Sequence, residues 1–88
     1  MATVVIRHKV GNFDTWLKGH QDRVNVFSPL IKNFQTFQDS NDPNSIAMVM
    51  EVSDMKKFGE MMKDPAVQPY KTKHTVIDPI AVYVQVAV

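Results

Sequence analysis

In VVIRHKVGNFDTW (residues 4–16), a strand, a turn and the start of a helix follow one another directly. The alternation over residues 2 to 10 predicts a strand whose buried side carries Val4, Ile6, His8 and Val10. Gly11 ends this strand, and Asn12 is a typical N-cap for the helix that follows. The first strand therefore places a histidine on its apolar side.

The second predicted element is one helix that stops near Ser28 and Pro29, because the residue before a proline disfavours helical backbone. Its apolar positions recur at steps of three and four residues, which draws a single stripe along one face. We expect this stripe to pack on the sheet through Phe13, Trp16, Leu17, His20, Val24 and Phe27.

Two strands joined by a turn come next. Residues 30 to 39 predict the second strand, with Phe34 and Phe37 on opposite faces. The turn is SNDPN at residues 40–44, in which the proline presets the backbone angle φ. Residues 45–52 predict the third strand, whose buried side carries Ile46, Met48, Met50 and Val52.

The C-terminal part of the chain predicts a helix, an irregular segment and a last strand. The Ser53–Asp54 pair caps the second helix, whose apolar stripe consists of Met55, Phe58 and Met62. Residues 64 to 78 contain Pro65 and Pro69 and predict a broken helix or a turn-rich connector. In IAVYVQVAV (residues 80–88), one side of the strand is expected to face the helices through Ile80, Val82, Val84, Val86 and Val88.

The order of these elements is β-α-β-β-α-β, which is the ferredoxin-like arrangement. It predicts an α+β fold in which two helices cover one face of a four-stranded antiparallel sheet. No linker, repeat or low-complexity tract interrupts the order, so residues 1–88 are predicted to form a single ferredoxin-like domain.

Charge and cysteine content exclude several classes of function. Ten Lys and Arg and nine Asp and Glu are interspersed and give a net charge of +1, so no basic stripe is available for nucleic acid or anionic lipid. The chain has no cysteine, which excludes disulfides and thiolate chemistry. No apolar run is long enough for a signal or a membrane span, and we expect a cytoplasmic protein without nucleic-acid or membrane partners.

The side of the predicted sheet that faces away from the helices carries both apolar and polar residues. Its apolar members are Val5, Phe37, Ala47, Val49, Ala81, Tyr83 and Ala87. Its polar members are Arg7, Glu51 and Gln85. A large exposed apolar patch usually marks an interface. We therefore predict a homodimer through this open sheet face, with Arg7 and Glu51 paired at the interface.

Three segments resemble the dimeric α+β barrel superfamily, near its antibiotic-biosynthesis-monooxygenase-type domains. They are NFDTW (residues 12–16), NDPN (residues 41–44) and MVMEVSDMKKFGEMMKDPAV (residues 48–67). The resemblance spans nearly the whole chain and implies a dimeric barrel. The superfamily includes cofactor-free oxygenases, haem-degrading enzymes and lactone isomerases. The oxygenases typically carry Trp near the end of the third strand, where this chain has Glu51-Val52, so the resemblance implies the fold without their catalytic set.

His20 and His8 are the candidate catalytic residues. His8 lies on the predicted helix-facing side of the first strand, and His20 lies on the helix stripe four residues after Trp16. The two imidazoles could approach each other, and a buried neutral imidazole is a natural general base for an enolisable substrate. The alternative is that both are hydrogen-bonded histidines at the edge of the core.

Five further residues are candidate substrate contacts, namely Trp16, Met48, Met50, Asn33 and His74. Trp16 is also the natural anchor of the first helix, and the methionines are natural gap-filling core. His74, in KTKHT, is expected to be solvent-exposed and is the weakest of the five. The sequence holds no Gly-rich cofactor motif and no metal-ligand spacing, so neither a cofactor nor a metal is expected.

Two functions from different classes follow from these features. The first, implied by the resemblance, is a cofactor-independent oxygenase or isomerase that acts on a small apolar or aromatic molecule between sheet and helices. The second is a non-catalytic dimer that binds a small molecule or serves as an assembly module. A preformed cavity of a few hundred Å³ near His8, His20 and Trp16 would favour the enzyme. An interior filled by methionines would favour the second function.

Overall fold

A computed structural model describes residues 2–28 and 30–87. The elements follow one another as β1 (Ala2–Val10), α1 (Phe13–Lys18), α2 (His20–Phe27), β2 (Ile31–Gln38), β3 (Ser45–Val52), α3 (Met55–Lys63), α4 (Gln68–Lys73) and β4 (Val76–Val84). A single 3-10 turn at Pro65–Val67 joins α3 to α4. No helix in the described part of the chain is long and apolar enough to cross a membrane.

The four strands form one antiparallel sheet in the order β2-β3-β1-β4. This topology confirms the predicted ferredoxin-like α+β fold. The buried sides of β1 and β3 are the predicted ones, since Val4 pairs with Met50 and Ile6 pairs with Met48. Because successive strand residues alternate between the two faces of the sheet, the register between β1 and β3 determines which residues of both strands face the core.

The core lies between this side of the sheet and the helices. Trp16 of α1 and Phe58 of α3 are its helical anchors, at 0% and 2% exposed. They pack over the buried strand residues Val4, Ile6, Val10, Ile31, Ile46, Met48, Met50 and Val52. Truncation of a buried aromatic of this size typically costs about 3–5 kcal/mol, so these two side chains hold the helices on the sheet.

The helices begin where the sequence predicts caps. Asn12 Oδ1 accepts a hydrogen bond from Thr15 N at 2.9 Å, which caps α1. Asp54 Oδ1 accepts from Lys56 N and Lys57 N at 3.0 and 3.1 Å, which caps α3. These short side chains supply acceptors for the first backbone N–H groups of a helix, which have no partner within it.

The prediction of one long first helix was wrong, because the helix breaks at Gly19. Gly19 N donates to Trp16 O at 3.0 Å and closes α1, and α2 starts at the next residue. Leu17, predicted on the buried stripe, is 44% exposed, whereas Arg23 is buried at 8%. The predicted stop before Ser28 is confirmed, and Pro29 lies outside the described residues.

A bulge in β2 sets the positions of its aromatic residues. Lys32 pairs with Glu51 and Gln35 with Val49, so three steps on β2 face two on β3. Asn33 occupies the extra position with φ at 59°, a left-handed conformation that asparagine tolerates well. The bulge turns Phe34 toward the core and leaves Phe37 51% exposed on the open face.

The expectation that the helices cover the last strand holds only for its first half. Ile80 packs against the core, but Val82 and Val84 are 43% and 46% exposed, although they pair with core residues of β1. The reason is that β4 is an edge strand and its second half carries no helix above it. Val86 lies beyond β4 at 72% exposed, and Val88 lies outside the described residues.

Of residues 64 to 78, which predict a broken helix or a turn-rich connector, those from Pro65 to Lys73 form a broken helix, and β4 already begins at Val76. Asp64 Oδ1 accepts from Ala66 N at 2.9 Å and caps the 3-10 turn that precedes α4. Because α4 folds back over the sheet, Val67 and Tyr70 reach the interior space between the layers. This segment thus forms one wall of the cavity described next.

Candidate functional site

An interior cavity lies between the core side of the sheet and the helices. Most of its walls are apolar, contributed by Ile6, Trp16, Phe27, Ile31, Phe34, Met48, Met50, Phe58, Met62, Val67, Val76 and Ile80. Five side chains with polar atoms complete it, namely His8, Arg23, Tyr70, Lys71 and His74. An apolar pocket with a few converging polar groups is the usual form of a small-molecule site.

The cavity is small. The space open to the centre of a water molecule measures about 70 Å³, and all empty space between its walls and at its mouth comes to about 650 Å³. An apolar cavity of about 150 Å³ on the narrower measure binds benzene, and one water needs about 10–15 Å³. The interior space is about half of the space that holds the six carbon atoms of benzene, so a ligand of six or seven non-hydrogen atoms must extend into the mouth of the cavity. The volume of about 70 Å³ is also less than the few hundred Å³ that the sequence led us to expect of an enzyme.

His8 is one of the polar residues that line this cavity. Its Nδ1 lies 2.9 Å from Lys9 O, and this contact assigns the proton to Nδ1, which donates to the carbonyl. Nε2 is then an acceptor, and it has no hydrogen-bond partner among residues 2–28 and 30–87. Burial lowers the pKa of His8, and the charge of Arg23 lowers it further, against the Lys9 carbonyl, which raises it. The imidazole is therefore neutral at pH 7.

Arg23 brings a guanidinium into the same cavity. Its Nη1 donates to Trp16 O at 2.7 Å and lies 3.4 Å from His74 Nδ1. Its Cζ stands 4.2 Å from the centroid of the Trp16 ring, a cation–π contact. These contacts hold the Nη1 end of the guanidinium in a fixed position against α1.

The other edge of this guanidinium has no partner. Arg23 Nε and Nη2 are buried and make no hydrogen bond, and no carboxylate of residues 2–28 and 30–87 lies within ion-pair distance of the group. Burial lowers the pKa of Arg23 to about 10, which leaves it charged at pH 7. A buried donor without a hydrogen-bond partner typically lowers the free energy of unfolding by about 1–3 kcal/mol. Nε and Nη2 of Arg23 therefore destabilise the fold as long as they lack a partner.

His74 links the cavity to the protein surface. Its ring lies against Gly19, and its Nε2 is 3.4 Å from Asp22 Oδ2, which also accepts from Lys73 Nζ at 3.3 Å. Burial lowers the pKa of His74, while the bond to Asp22 raises it and the charge of Arg23 lowers it. The expectation that His74 is solvent-exposed was wrong, since α4 presses the ring onto Gly19 and leaves it 4% exposed.

Two of the lining residues, Tyr70 and Lys71, lie on α4. Tyr70 is 40% exposed, with its ring centroid 6.2 Å from that of His74. Lys71 Nζ pairs with Asp78 Oδ1 of β4 at 2.8 Å. The lining therefore contains two cations, of which Lys71 is paired with a carboxylate and Arg23 is not paired with any carboxylate in the described part of the chain.

Solved structures of the same fold align with nearly the whole chain. An antibiotic biosynthesis monooxygenase superposes with a TM-score of 0.69 at 18% identity, over 100% of this chain and 99% of that one. The cofactor-independent oxygenase SnoaB from Streptomyces nogalater gives 0.72 at 14% identity, over 99% and 94%. The chain has the ferredoxin-like α+β fold of these proteins. Protein Atu4242 from Agrobacterium tumefaciens shares it, with a TM-score of 0.69 at 14% identity over 100% and 94%.

Likeness at these identities establishes the fold, and the function has to come from the site. Neither protein-family models nor curated protein sequences match the chain.

Five of the seven residues singled out in the sequence line the cavity, namely His8, Trp16, Met48, Met50 and His74. The other two lie elsewhere. His20 is half-buried and packs edge-on against Phe34, with 6.1 Å between ring centroids, and it forms no contact with His8. Asn33 is exposed at the β2 bulge and donates from Nδ2 to Glu51 Oε2. Their roles in catalysis and binding stay predictions.

Sequence reasoning missed Arg23 as a functional residue. A charged residue in an otherwise amphipathic helix normally points to water. The available signal was its spacing of seven residues from Trp16, which is two helical turns and places both on one face. No candidate metal site is found among residues 2–28 and 30–87, because no three His, Asp or Glu side chains lie close enough together to hold a metal ion.

Proposed function

We propose that this protein is a homodimeric, cofactor-independent enzyme that removes a proton from a small, largely apolar molecule bound in the interior cavity. The observation that carries the proposal is the pairing of an apolar cavity with a neutral histidine whose Nε2 has no partner in the described part of the chain. The oxygenase function of SnoaB, which shares the fold, supports the same reaction type.

His8 is the base in this proposal. Its Nδ1 proton is held by Lys9 O, so the lone pair of Nε2 accepts the substrate proton and the ring becomes an imidazolium. Because burial lowers the pKa of His8, the proton is released readily after the reaction. We prefer His8 to His20 as the base because His20 packs edge-on against Phe34 and is not among the described residues that line the cavity.

The carbanion that this step produces has two outcomes. In an isomerase, the imidazolium returns the proton to a different carbon. In an oxygenase, dioxygen adds to the carbanion carbon and protonation gives a hydroperoxide, which loses water to leave a carbonyl group. Both sequences balance without a cofactor, because the substrate supplies all the electrons. The small volume of the cavity favours small substrates.

Proton exchange in D₂O tests the first step directly. Small 1,3-dicarbonyl compounds such as 2,4-pentanedione are to be followed by proton NMR, with oxygen uptake measured in parallel. We expect exchange above the buffer rate, and we expect His8→Gln to lower it by about 10²–10⁴-fold. The matched variant His20→Gln should retain it. Equal activity of the His8→Gln variant and the wild type would exclude His8 as the base.

The dimer is proposed through the open sheet face. Two cross-strand rows there are largely apolar, with Val49, Val5 and Tyr83 in one and Phe37, Ala47 and Ala81 in the other. Tyr83 is 51% exposed, so the face would present a sizeable apolar patch to water in an isolated subunit. Glu51 accepts from Asn33 within the chain, and its predicted pairing with Arg7 would form between subunits.

Charge placed on this face tests the dimer. We expect Val49→Lys to give monomers or insoluble protein in light scattering coupled to size exclusion. Thr15→Lys adds the same charge on the exposed side of α1 and should remain dimeric. A Val49→Lys protein that stays a stable dimer would contradict the proposed interface.

The second candidate function is a non-catalytic small-molecule-binding dimer. The small cavity and its methionine lining favour it, because thioether side chains fill irregular interiors readily. In that case the wild type should show no proton exchange above the buffer rate while small ligands still raise its melting temperature.

A further inference from the structure

The unpaired edge of Arg23 is the feature that the proposed proton transfer leaves unexplained. Nε and Nη2 of a guanidinium point their hydrogens to the same side, and this edge binds the two oxygens of a carboxylate in parallel. Both atoms are buried and have no partner among residues 2–28 and 30–87, in a side chain that is 8% exposed and borders the cavity, so a ligand reaches them only when neighbouring side chains move apart. Nε and Nη2 thus form a pair of parallel donors, here called the fork, that is suited to an anion, and no carboxylate of the described residues occupies it.

The nearest acidic side chain is used otherwise. Asp22 adjoins Arg23 in sequence, but its Oδ2 contacts Lys73 Nζ and His74 Nε2. The opposite end of the guanidinium is fixed by Trp16 O at 2.7 Å and by the Trp16 ring at 4.2 Å. Arg23 is thus oriented by backbone and aromatic contacts, which direct it without neutralising its charge.

We propose that the cavity takes small ligands with an anionic oxygen, a carboxylate or an enolate, and that Arg23 binds this oxygen through Nε and Nη2. This inference rests on the proposed function, since it names the substrate class of the same cavity. Removal of a proton by His8 leaves negative charge on the substrate, and a guanidinium in the same cavity stabilises that charge. Arg23 is then a binding residue for the ligand and for the carbanion.

Isobutyrate and its neutral analogue isobutyramide are suitable probes, because each has six non-hydrogen atoms and the two have nearly the same shape. Trp16 is the single tryptophan of the chain and lies against Arg23, so its fluorescence reports on this part of the cavity. We expect isobutyrate to change the fluorescence saturably and to bind at least about tenfold more tightly than isobutyramide, the value of one charge-assisted hydrogen bond.

Three variants separate the guanidinium from the general charge of the protein. Arg23→Met should abolish the preference for isobutyrate. Arg23→Lys should retain part of this preference, because lysine keeps the positive charge but lacks the two parallel donors of the guanidinium. Lys18→Met removes one positive charge from the exposed side of α1 and should bind isobutyrate as the wild type does. If Arg23→Met does not fold, the affinities of the wild-type protein for isobutyrate and isobutyramide still show whether the cavity prefers an anionic ligand.

A second readout follows the guanidinium itself. Arg7 and Arg23 are the two arginines of the chain, so their Nε–H signals form a pair in a nitrogen-15 NMR spectrum. Isobutyrate should shift the Arg23 signal and leave that of Arg7 in place. The inference is overturned if isobutyramide binds as tightly as isobutyrate, if Arg23→Met keeps the preference, or if isobutyrate does not bind. Because no turnover is measured, none of these results affects the His8 exchange experiment.

Discussion

Replacing Gly19 with alanine would bring a methyl group into the ring of His74. A Cβ at this position would lie 2.6 Å from His74 Cδ2 and Nε2 and 2.7 Å from Cε1. Carbon atoms in ordinary contact are about 3.5–4.0 Å apart, so the ring would have to move by about 1 Å. The backbone itself accepts alanine, since Gly19 has φ at −80° and ψ at 2°. Gly19→Ala therefore tests the packing of α4 on the junction of α1 and α2.

The expected size of the effect comes from two opposing contributions. Alanine gains about 0.5–1 kcal/mol over glycine in regular helix because it loses less backbone freedom on folding. Overpacking of a buried site costs about 1–3 kcal/mol, and His74 is 4% exposed with Asp22 and Arg23 at its two nitrogens. We expect a net loss of about 1–2 kcal/mol, which for a chain of this length lowers Tm by about 5–15 °C.

Gly59→Ala is the matched control, because Gly59 lies inside α3 and a Cβ there meets no atom within 4 Å. This variant should gain about 0.5–1 kcal/mol. Both are to be measured by urea unfolding, followed by circular dichroism at one protomer concentration, because a dimer makes stability depend on concentration. A Gly19→Ala protein as stable as Gly59→Ala would mean that His74 does not pack on Gly19, and the described setting of Arg23 would be wrong with it.

Three further predictions test other parts of the structure. Burial lowers the pKa of His8 and of His74 in the folded protein. The free energy of unfolding should therefore be highest above the unfolded-state pKa of about 6.5, and it should fall as the pH drops through the lowered pKa values of the folded state. Urea midpoints that stay constant from about pH 8 to 5 would contradict this prediction. The charged groups that act on these two rings are Asp22, Arg23, Lys71, Lys73 and Asp78. Asp54→Ala should cost about 1 kcal/mol through loss of the α3 cap while Asp54→Asn retains most of it, and equal urea midpoints for the two would refute the cap. Asn33→Val should cost about 1–2 kcal/mol because a β-branched residue resists φ of 59°, whereas an unchanged Tm would mean that β2 lacks this bulge.

The sequence by itself determined the order of the strands, the buried sides of β1 and β3, and the helix caps. The alternation through Val4 and Ile6 and through Met48 and Met50 has a period of two, and a strand with this pattern can bury only one side. Asn12 and Asp54 act on backbone groups two or three residues away. These are short-range effects, so they can be predicted without the tertiary structure.

Only the tertiary structure decided which polar side chains share the cavity. Arg23 and His74 are 51 residues apart, and they meet because α4 folds back onto the junction at Gly19. The spacing of Arg23 from Trp16 places both on one helix face, but only the contacts of Arg23 with Trp16 and His74 show that a charged side chain is buried there. Burial and charge at the site depend on these long-range contacts. The sequence predicted an exposed His74 and did not indicate a role for Arg23, whereas the folded chain places both in the lining of the cavity.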